Sequence, residues 1–272
     1  MNEDHHKRTE APKDRLLAKI RAIDDEACLV IESLVDALAL VIENHIAEDT
    51  DIVTARFSKN FKTRLQIHHA TTREKFKKKS FEYAFQEACK AAGWHADMTL
   101  SGTFAGNDVT VKGVRYSLKT EASAKIMNNV ITISKFAEAA WIRDCRTSQD
   151  FRDKCVARVE THIGHYDRIL ILRAFSVNND QAVRYDLLEI PRSLFEAISN
   201  LSPEDFGPRT TKGGSSAKVT IDGKHVYSIR LDGSVEKITI SSLKTSFCKQ
   251  HASWTVPILI PDSNDENDED ET

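Results

Sequence analysis

Apolar positions in the first third of the chain recur at helical spacing. Leu16, Leu17, Ile20 and Ile23 are followed by Leu29, Val30, Ile31, Leu34, Val35 and Leu38, and then by Leu40, Val41 and Ile42. Residues from about 14 to 48 are therefore predicted as two helices or one broken helix. A further helical pair is predicted over roughly 55–70 and 73–92, the second ending where Gly93 can serve as a C-cap. From His95 the hydrophobic period drops from about 3.6 to about 2. Short β-rich runs at 96–100, 109–111 and 114–118 are bounded by glycine and asparagine. After Ser134, helical stretches are expected through about 144 and again through 163. Strands follow at 168–175 and 183–190, and Pro191 opens a short helix.

The last part alternates once more. Strands are predicted at 218–221, 225–231 and 236–240, joined by Asp222-Gly223 and Asp232-Gly233, the dipeptides that suit a two-residue hairpin turn. Together they read as a three-stranded β-meander. Residues 208–216, rich in Gly, Ser, Thr and Lys, read as a mobile linker before it. The expected fold class is α/β: a single domain over 14–260, with a mixed sheet flanked by helices. Its parts are a mostly helical segment at 14–93, a central core at 94–200 and a β-rich segment at 217–260.

Composition narrows the setting. Hydrophobic residues make up 40% and charged residues 29%, and no run approaches the roughly eighteen apolar residues of a membrane-spanning helix, so no membrane partner is expected. Residues 1–13 are charged where a secretory signal would be apolar, and read as a polar tail. Five widely spaced cysteines argue against a disulfide framework and fit a reducing cytoplasm. The net charge of −3 conceals an asymmetry, because seven of the 41 acidic residues lie in 261–272. That segment is expected to be a disordered acidic tail. The remainder holds 38 basic residues against 34 acidic ones, a balance that permits a polyanionic partner.

The chemistry concentrates in residues 107–121. With Lys112-Gly113 as a two-residue turn, Val111 pairs with Val114 and Asp108 falls opposite Ser117. Alternation then places Val109, Val111, Val114, Tyr116 and Leu118 on one face, and Asp108, Thr110, Arg115, Ser117 and Lys119 on the other. A carboxylate and an ammonium are gathered at the open end of the hairpin. Phosphodiester hydrolysis uses such a group: Mg²⁺ prefers carboxylate oxygens and keeps waters, one of which becomes the nucleophile. A neighbouring lysine stabilises the charge that develops on the phosphate. The alternative is a half-exposed hairpin with a solvated polar face.

This pattern resembles the PD-(D/E)xK nucleases, whose aspartate opens one strand and whose (D/E)xK lies on the next. Asn107 stands in place of the proline, and Ser117 in place of the first acid of (D/E)xK. Further segments are similar to type II restriction enzymes: Leu65 to His69, Lys77 to Lys79 with Phe81-Glu82-Tyr83, the strands at 168–173 and 185–191, Arg230 to Lys237, and Cys248, His251 and Trp254. The resemblance covers about residues 64–254. It implies a Mg²⁺-dependent endonuclease that cuts double-stranded DNA at a short sequence and leaves 5′-phosphate ends, acts as a homodimer, and is accompanied by a cognate DNA methyltransferase. Carried onto this chain, Asp108 and Glu121 would hold the metal, with Glu138, on an expected following helix, as the substitute for Glu121. Lys119 would assist the water and Ser117 would orient the site. Glu82, on the helix before the hairpin, would lend a further acid, or else face Lys78 or Lys79 on the helix surface. A repair or structure-selective nuclease, and a DNA-binding protein without catalysis, are the alternatives.

For contact with DNA, the basic run that includes Lys77, Lys78 and Lys79 suits a phosphate backbone or else a solvated helix start, the loop with Arg209 and Lys212 suits bases in a groove or else a disordered connection, and Arg230 is a further DNA-binding candidate. His68-His69 lies in an expected helix rather than a ββα unit, which argues for a structural role. Cys248 and His251 lack the second ligand pair of a zinc site. No nucleophile elbow surrounds Ser117, and neither a Walker loop nor a dinucleotide fingerprint is present.

Overall fold

The computed structural model describes residues 11–99 and 107–259. The acidic tail at 261–272 and most of the polar tail at 1–13 lie outside the described residues. Pro12 and Lys13 already belong to a helix.

The helical opening resolves into α1 (Pro12–Ile20) and α2 (Asp25–Ala39). Asp24 caps α2 by accepting the Ala27 N–H at 2.8 Å. The buried Gln66 amide closes its other end, donating to the carbonyls of Ala37 at 2.7 Å and Leu40 at 3.2 Å. Helix does not continue to residue 48 as expected. Glu43–Ile46 form strand β1, because the backbone there pairs antiparallel with a distant strand, Glu43 opposite Thr255 and Ile46 opposite Ala252.

Helices α3 (Ala55–His69) and α4 (Lys78–Ala91) match the second predicted pair. Phe57, Phe61 and Leu65 of α3 repeat every four residues and are fully buried, as are Phe81, Phe85 and Ala88 of α4. Their rings meet edge to face, Phe57 with Phe85 at 5.6 Å and Phe61 with Phe81 at 6.2 Å between centroids.

Seven strands form the larger sheet, in the order β1, β11 (Lys249–Pro257), β7 (Ala182–Ile190), β6 (Arg168–Val177), β4 (Val114–Glu121), β3 (Val109–Val111) and β2 (Ala96–Met98). The β4–β6 pair is parallel and the others are antiparallel, so the sheet is mixed, as expected. Central β6 is buried continuously from Ile169 to Phe175, and its alternate residues feed two cores. Leu170, Leu172 and Ala174 face α3 and α4, while Ile169 and Ile171 face α5 (Ser148–Gly164) and a second sheet. Strand β11 was not anticipated. Its neighbours β1 and β7 are remote in sequence, and its apolar residues Ala252, Trp254 and Val256 alternate only briefly.

The second sheet runs in the order β5 (Val130–Glu138), β10 (Lys237–Lys244), β9 (Lys224–Asp232) and β8 (Ser215–Ile221), antiparallel throughout. It contains the predicted meander plus a fourth strand. Residues 134–138 were expected to be helical, but β5 pairs along β10 instead, and the β-branched run Val130 to Ile133 carries the signal for it. Glu138 therefore ends a strand. Asp222 and Gly223 form the expected turn, with φ of 50° and 71°. The second turn is longer than expected. Asp232 remains in the strand and accepts the Ser234 N–H and hydroxyl at 3.1 and 2.6 Å, and four residues connect it to β10.

The segment 208–216 is not a detached linker. Gly207 N–H donates to the Ser216 carbonyl, Thr210 N–H to that of Gly214 and Gly213 N–H to that of Thr210. Its last two residues enter β8, and the loop is pressed against the β9–β10 connection.

Candidate active site

The β3–β4 hairpin has the register read from the sequence: Val111 opposite Val114, Thr110 opposite Arg115 and Val109 opposite Tyr116. Lys112 and Gly113 take φ of 51° and 81°, the left-handed pair that a type I′ turn requires. One step beyond the ladder, the Asp108 N–H donates to the Tyr116 carbonyl at 2.8 Å. Its Oδ2 accepts the Leu118 N–H at 2.6 Å. These two bonds fix the carboxylate at the strand end, so that Oδ1 points away from the ladder.

Helix α4 brings its first turn to this point. The Lys78 ammonium lies 2.8 Å from Asp108 Oδ1 and 3.3 Å from Glu82 Oε1, and thus bridges the two carboxylates. Lys79 reaches Glu82 Oε2 at 2.9 Å. Glu82 is only 1% exposed. It is a buried acid at the mouth of the hairpin rather than a helix-surface residue, and a buried carboxylate persists only where cations compensate it.

Lys119 shares this surrounding. Burial, reinforced by the charge of Lys78, pushes its pKa from 10.5 down to about 8, while Asp108 and Glu82 pull it up and Lys135 on β5 pushes it down. Its charge is thus felt alongside those of Lys78, Asp108 and Glu82. Ser117 is fully buried, and its hydroxyl has no hydrogen-bond partner among the described residues. On α5, His162 is buried with both ring nitrogens unpartnered among the described residues, and burial, with the fields of Lys119 and Arg158 added, holds it neutral with a pKa of about 3.

The remaining acids are placed elsewhere. Glu121 lies on the Lys119 face of β4, but both of its oxygens are engaged: Oε2 accepts from Arg173 Nε at 2.6 Å and Oε1 from the Thr132 N–H at 2.7 Å. Exposed Glu138 is paired to Lys135 at 2.7 Å, which holds its pKa below the usual carboxylate range. Among the basic candidates, Lys78 and Lys79 adjoin the carboxylates, and exposed Lys77 pairs with Glu74 at 2.7 Å. Arg209, Lys212 and Arg230 gather at the far end of the second sheet, where Arg209 also donates to the Cys145 carbonyl at 3.1 Å. Sequence reasoning missed Lys135, because β5 was read as a helix, and Arg173, because a buried arginine on a central strand has no local signature.

A second group, Asp51, Glu189 and His251, holds three ligand-type atoms within 4.8 Å of one another. Arg168 sits among them, donating to Asp51 at 2.6 and 3.0 Å and to Glu189 at 2.9 Å. The arginine neutralises the acids, and the group fastens the loop after β1 to the sheet. His69 is structural too, with Nε2 2.8 Å from the Tyr185 hydroxyl and a pKa lowered by burial to about 4.

A family model for the SmaI type II site-specific deoxyribonucleases matches residues 21–256. The chain belongs to this family. The type II restriction enzyme SmaI of Serratia marcescens is 29% identical over 210 residues, which cover 75% of this chain and 81% of that enzyme. No solved structure matches. The chain is thus a restriction endonuclease. Among the described residues no helix is long and apolar enough to cross a membrane.

The depressed pKa of Lys119 is open to direct measurement. In metal-free protein with ¹³C-methylated lysines, one amine resonance is expected to titrate near pH 8, well below the other lysines. Lys78→Met should move that midpoint upward, because it removes a repelling charge and leaves Asp108 and Glu82 less neutralised. The folded pKa lies below the unfolded one, so the unfolded chain binds this proton more tightly. Stability from this group is therefore fully present above about 10.5 and is lost as the pH falls through about 8. Titration of Lys119 together with the bulk lysines would contradict its burial.

Proposed function

We propose that this restriction endonuclease hydrolyses double-stranded DNA at a specific short sequence by PD-(D/E)xK chemistry, with Mg²⁺ held by Asp108 and Glu82. The observation that supports it is the pair of carboxylates at the end of the β3–β4 hairpin sharing one cation, Lys78, beside a lysine of lowered pKa. Two carboxylates that hold an ammonium between them form an all-oxygen donor set, which suits a hard divalent ion. When bound, such an ion supplies Lewis-acid stabilisation of the phosphate and an acidified water.

The protein's own groups do the rest. Lys119 exists in both protonation states near neutrality: the ammonium stabilises negative charge on the phosphate oxygens, and the amine accepts a proton from the attacking water. Lys78 compensates the two acids, and with an ion held by Asp108 and Glu82 it would be available to contact phosphate. Ser117 offers an uncommitted hydroxyl beside the reacting group, and with both oxygens of Glu121 engaged, Glu82 takes the role of second acid. Lys77, Lys79, Arg209 and Lys212 supply backbone contacts.

Leu29, Val30, Val35 and Leu38 leave apolar surface exposed on α2, which supports a homodimer matched to a palindromic site. A cytoplasmic setting with a cognate methyltransferase fits an enzyme of this family. Incubating the protein with plasmid DNA should give discrete fragments in Mg²⁺ and none in EDTA, and Asp108→Asn should leave the plasmid intact. Structure-dependent nicking would favour a repair nuclease instead, and absence of cutting a binding protein.

A further inference from the structure

The end of the second sheet distant from β8's turn carries a groove of about 350 Å³, lined by the loop 210–216 on one side and by Arg230 to Ser234 on the other. It is a built feature. A Cβ on Gly214 would fall 2.0 Å from the Leu231 carbonyl oxygen, and one on Gly233 would fall 2.8 Å from backbone atoms of Lys212 and Gly213. Two backbones are thus in direct contact beside the groove, and a Cβ at either glycine would force them apart. The walls offer donors and acceptors of several kinds: Thr210, Lys212, Ser216, Arg230, Asp232 and Ser234.

The groove opens onto the outward face of the sheet. Register places Ser216 beside Arg230 and Arg230 beside Thr239, with Lys218 beside Ser228 and Ser228 beside Ser241 on the next rung. This face is hydroxyl-rich and basic, while the apolar side chains of the same strands lie in the core behind it. Strand β5, at the other edge of the sheet, carries Lys135, whose charge is felt at Lys119. The helical turn after β5 then holds the groove in place, with Arg143 donating to the Gly233 carbonyl at 3.3 Å and pairing with Glu236 at 2.7 Å.

The geometry points to this groove and sheet face as the element that reads base edges of the duplex, with Arg230 as a specificity-determining residue. The inference rests on the nuclease reading above and names the part of the protein that selects the sequence. The Arg230 guanidinium is largely exposed and held only loosely, at 3.4 Å from Asp232. A guanidinium presents two parallel donors to a base edge that offers two acceptors side by side, a match that an ammonium cannot reproduce. The charge of the face suits a polyanion, and its hydroxyls suit base edges.

The test uses a library of linear duplexes with a randomised centre. Wild-type cleavage of the library defines the preferred sequence. Arg230→Lys keeps the charge and, being exposed, should leave the fold intact. It is expected to lower the preference at one base-pair position by about tenfold or more while affinity for unrelated duplex is retained. Ser216→Ala, which removes one hydroxyl from the adjoining strand, should relax a neighbouring position and gives an independent reading. A variant with unchanged preference, or one that loses affinity equally for every sequence as a phosphate contact would, overturns the proposal and leaves the nuclease reading standing. A wild-type protein that cuts no duplex overturns the nuclease reading itself.

Discussion

Lys119→Ala is expected to reduce cleavage by about 10²–10³-fold or more, the loss that follows removal of a preorganised group opposite developing charge, while specific DNA binding survives. The two effects separate because Lys119 is one partly buried side chain among many basic ones. Its alanine variant deletes no surface contact, but it leaves Asp108, Glu82 and Lys78 without the neighbour whose pKa they jointly set. Single-turnover cleavage with pre-bound duplex measures the first quantity and a gel-shift titration in Ca²⁺ the second. Cleavage retained at the wild-type rate would remove Lys119 from the mechanism. Lys119→Arg makes the complementary point: it keeps a cation but cannot supply a neutral amine near neutrality, so activity well below wild type is expected from it as well.

Arg173→Met should destabilise the protein by about 3–5 kcal/mol, a fall in Tm on the order of 10 °C. The guanidinium is 1% exposed. It donates to Glu121 at 2.6 Å, to the Asn128 carbonyl at 3.0 Å, and to the carbonyls of Met127 and Val130 at 2.6 and 2.7 Å. Removing it strands a buried carboxylate and three carbonyls at once. Thermal denaturation followed by circular dichroism measures the effect. The companion variant Glu121→Gln separates the two roles open to this glutamate. With Glu121 acting as the partner of Arg173, Tm falls and Mg²⁺ affinity holds. A variant of unchanged stability with weakened Mg²⁺ binding would return Glu121 to the metal site.

Much of the candidate site was legible because it is local. The turn Lys112-Gly113 sets the register, register sets the faces, and the faces place Asp108 and Lys119 together without reference to the rest of the molecule. Glu82 was legible only as an option, since periodicity cannot tell whether an acid on a helix meets solvent or a strand end 26 residues later. Here it is buried against Lys78 and Lys79. Glu121 shows the opposite case. It lies on the right face two residues beyond Lys119, yet Arg173, 52 residues away in the chain, engages it.

Taken alone, the amino-acid sequence determined the helical pairs, the β3–β4 hairpin with its polar face, the β6–β7 core strands and the meander, each of which rests on spacing within a few residues. Tertiary structure decided the rest. It drew β1 and β11 into one sheet and made β5 a strand of the other. It also chose among the acids near the hairpin and pressed Gly213 and Gly214 against Leu231 and Gly233 to form a groove. The physical reason is common to all of these. Strand pairing, and the burial of a charge beside its partner, are settled by contacts between segments distant in the chain, whose pairing energy local periodicity does not encode.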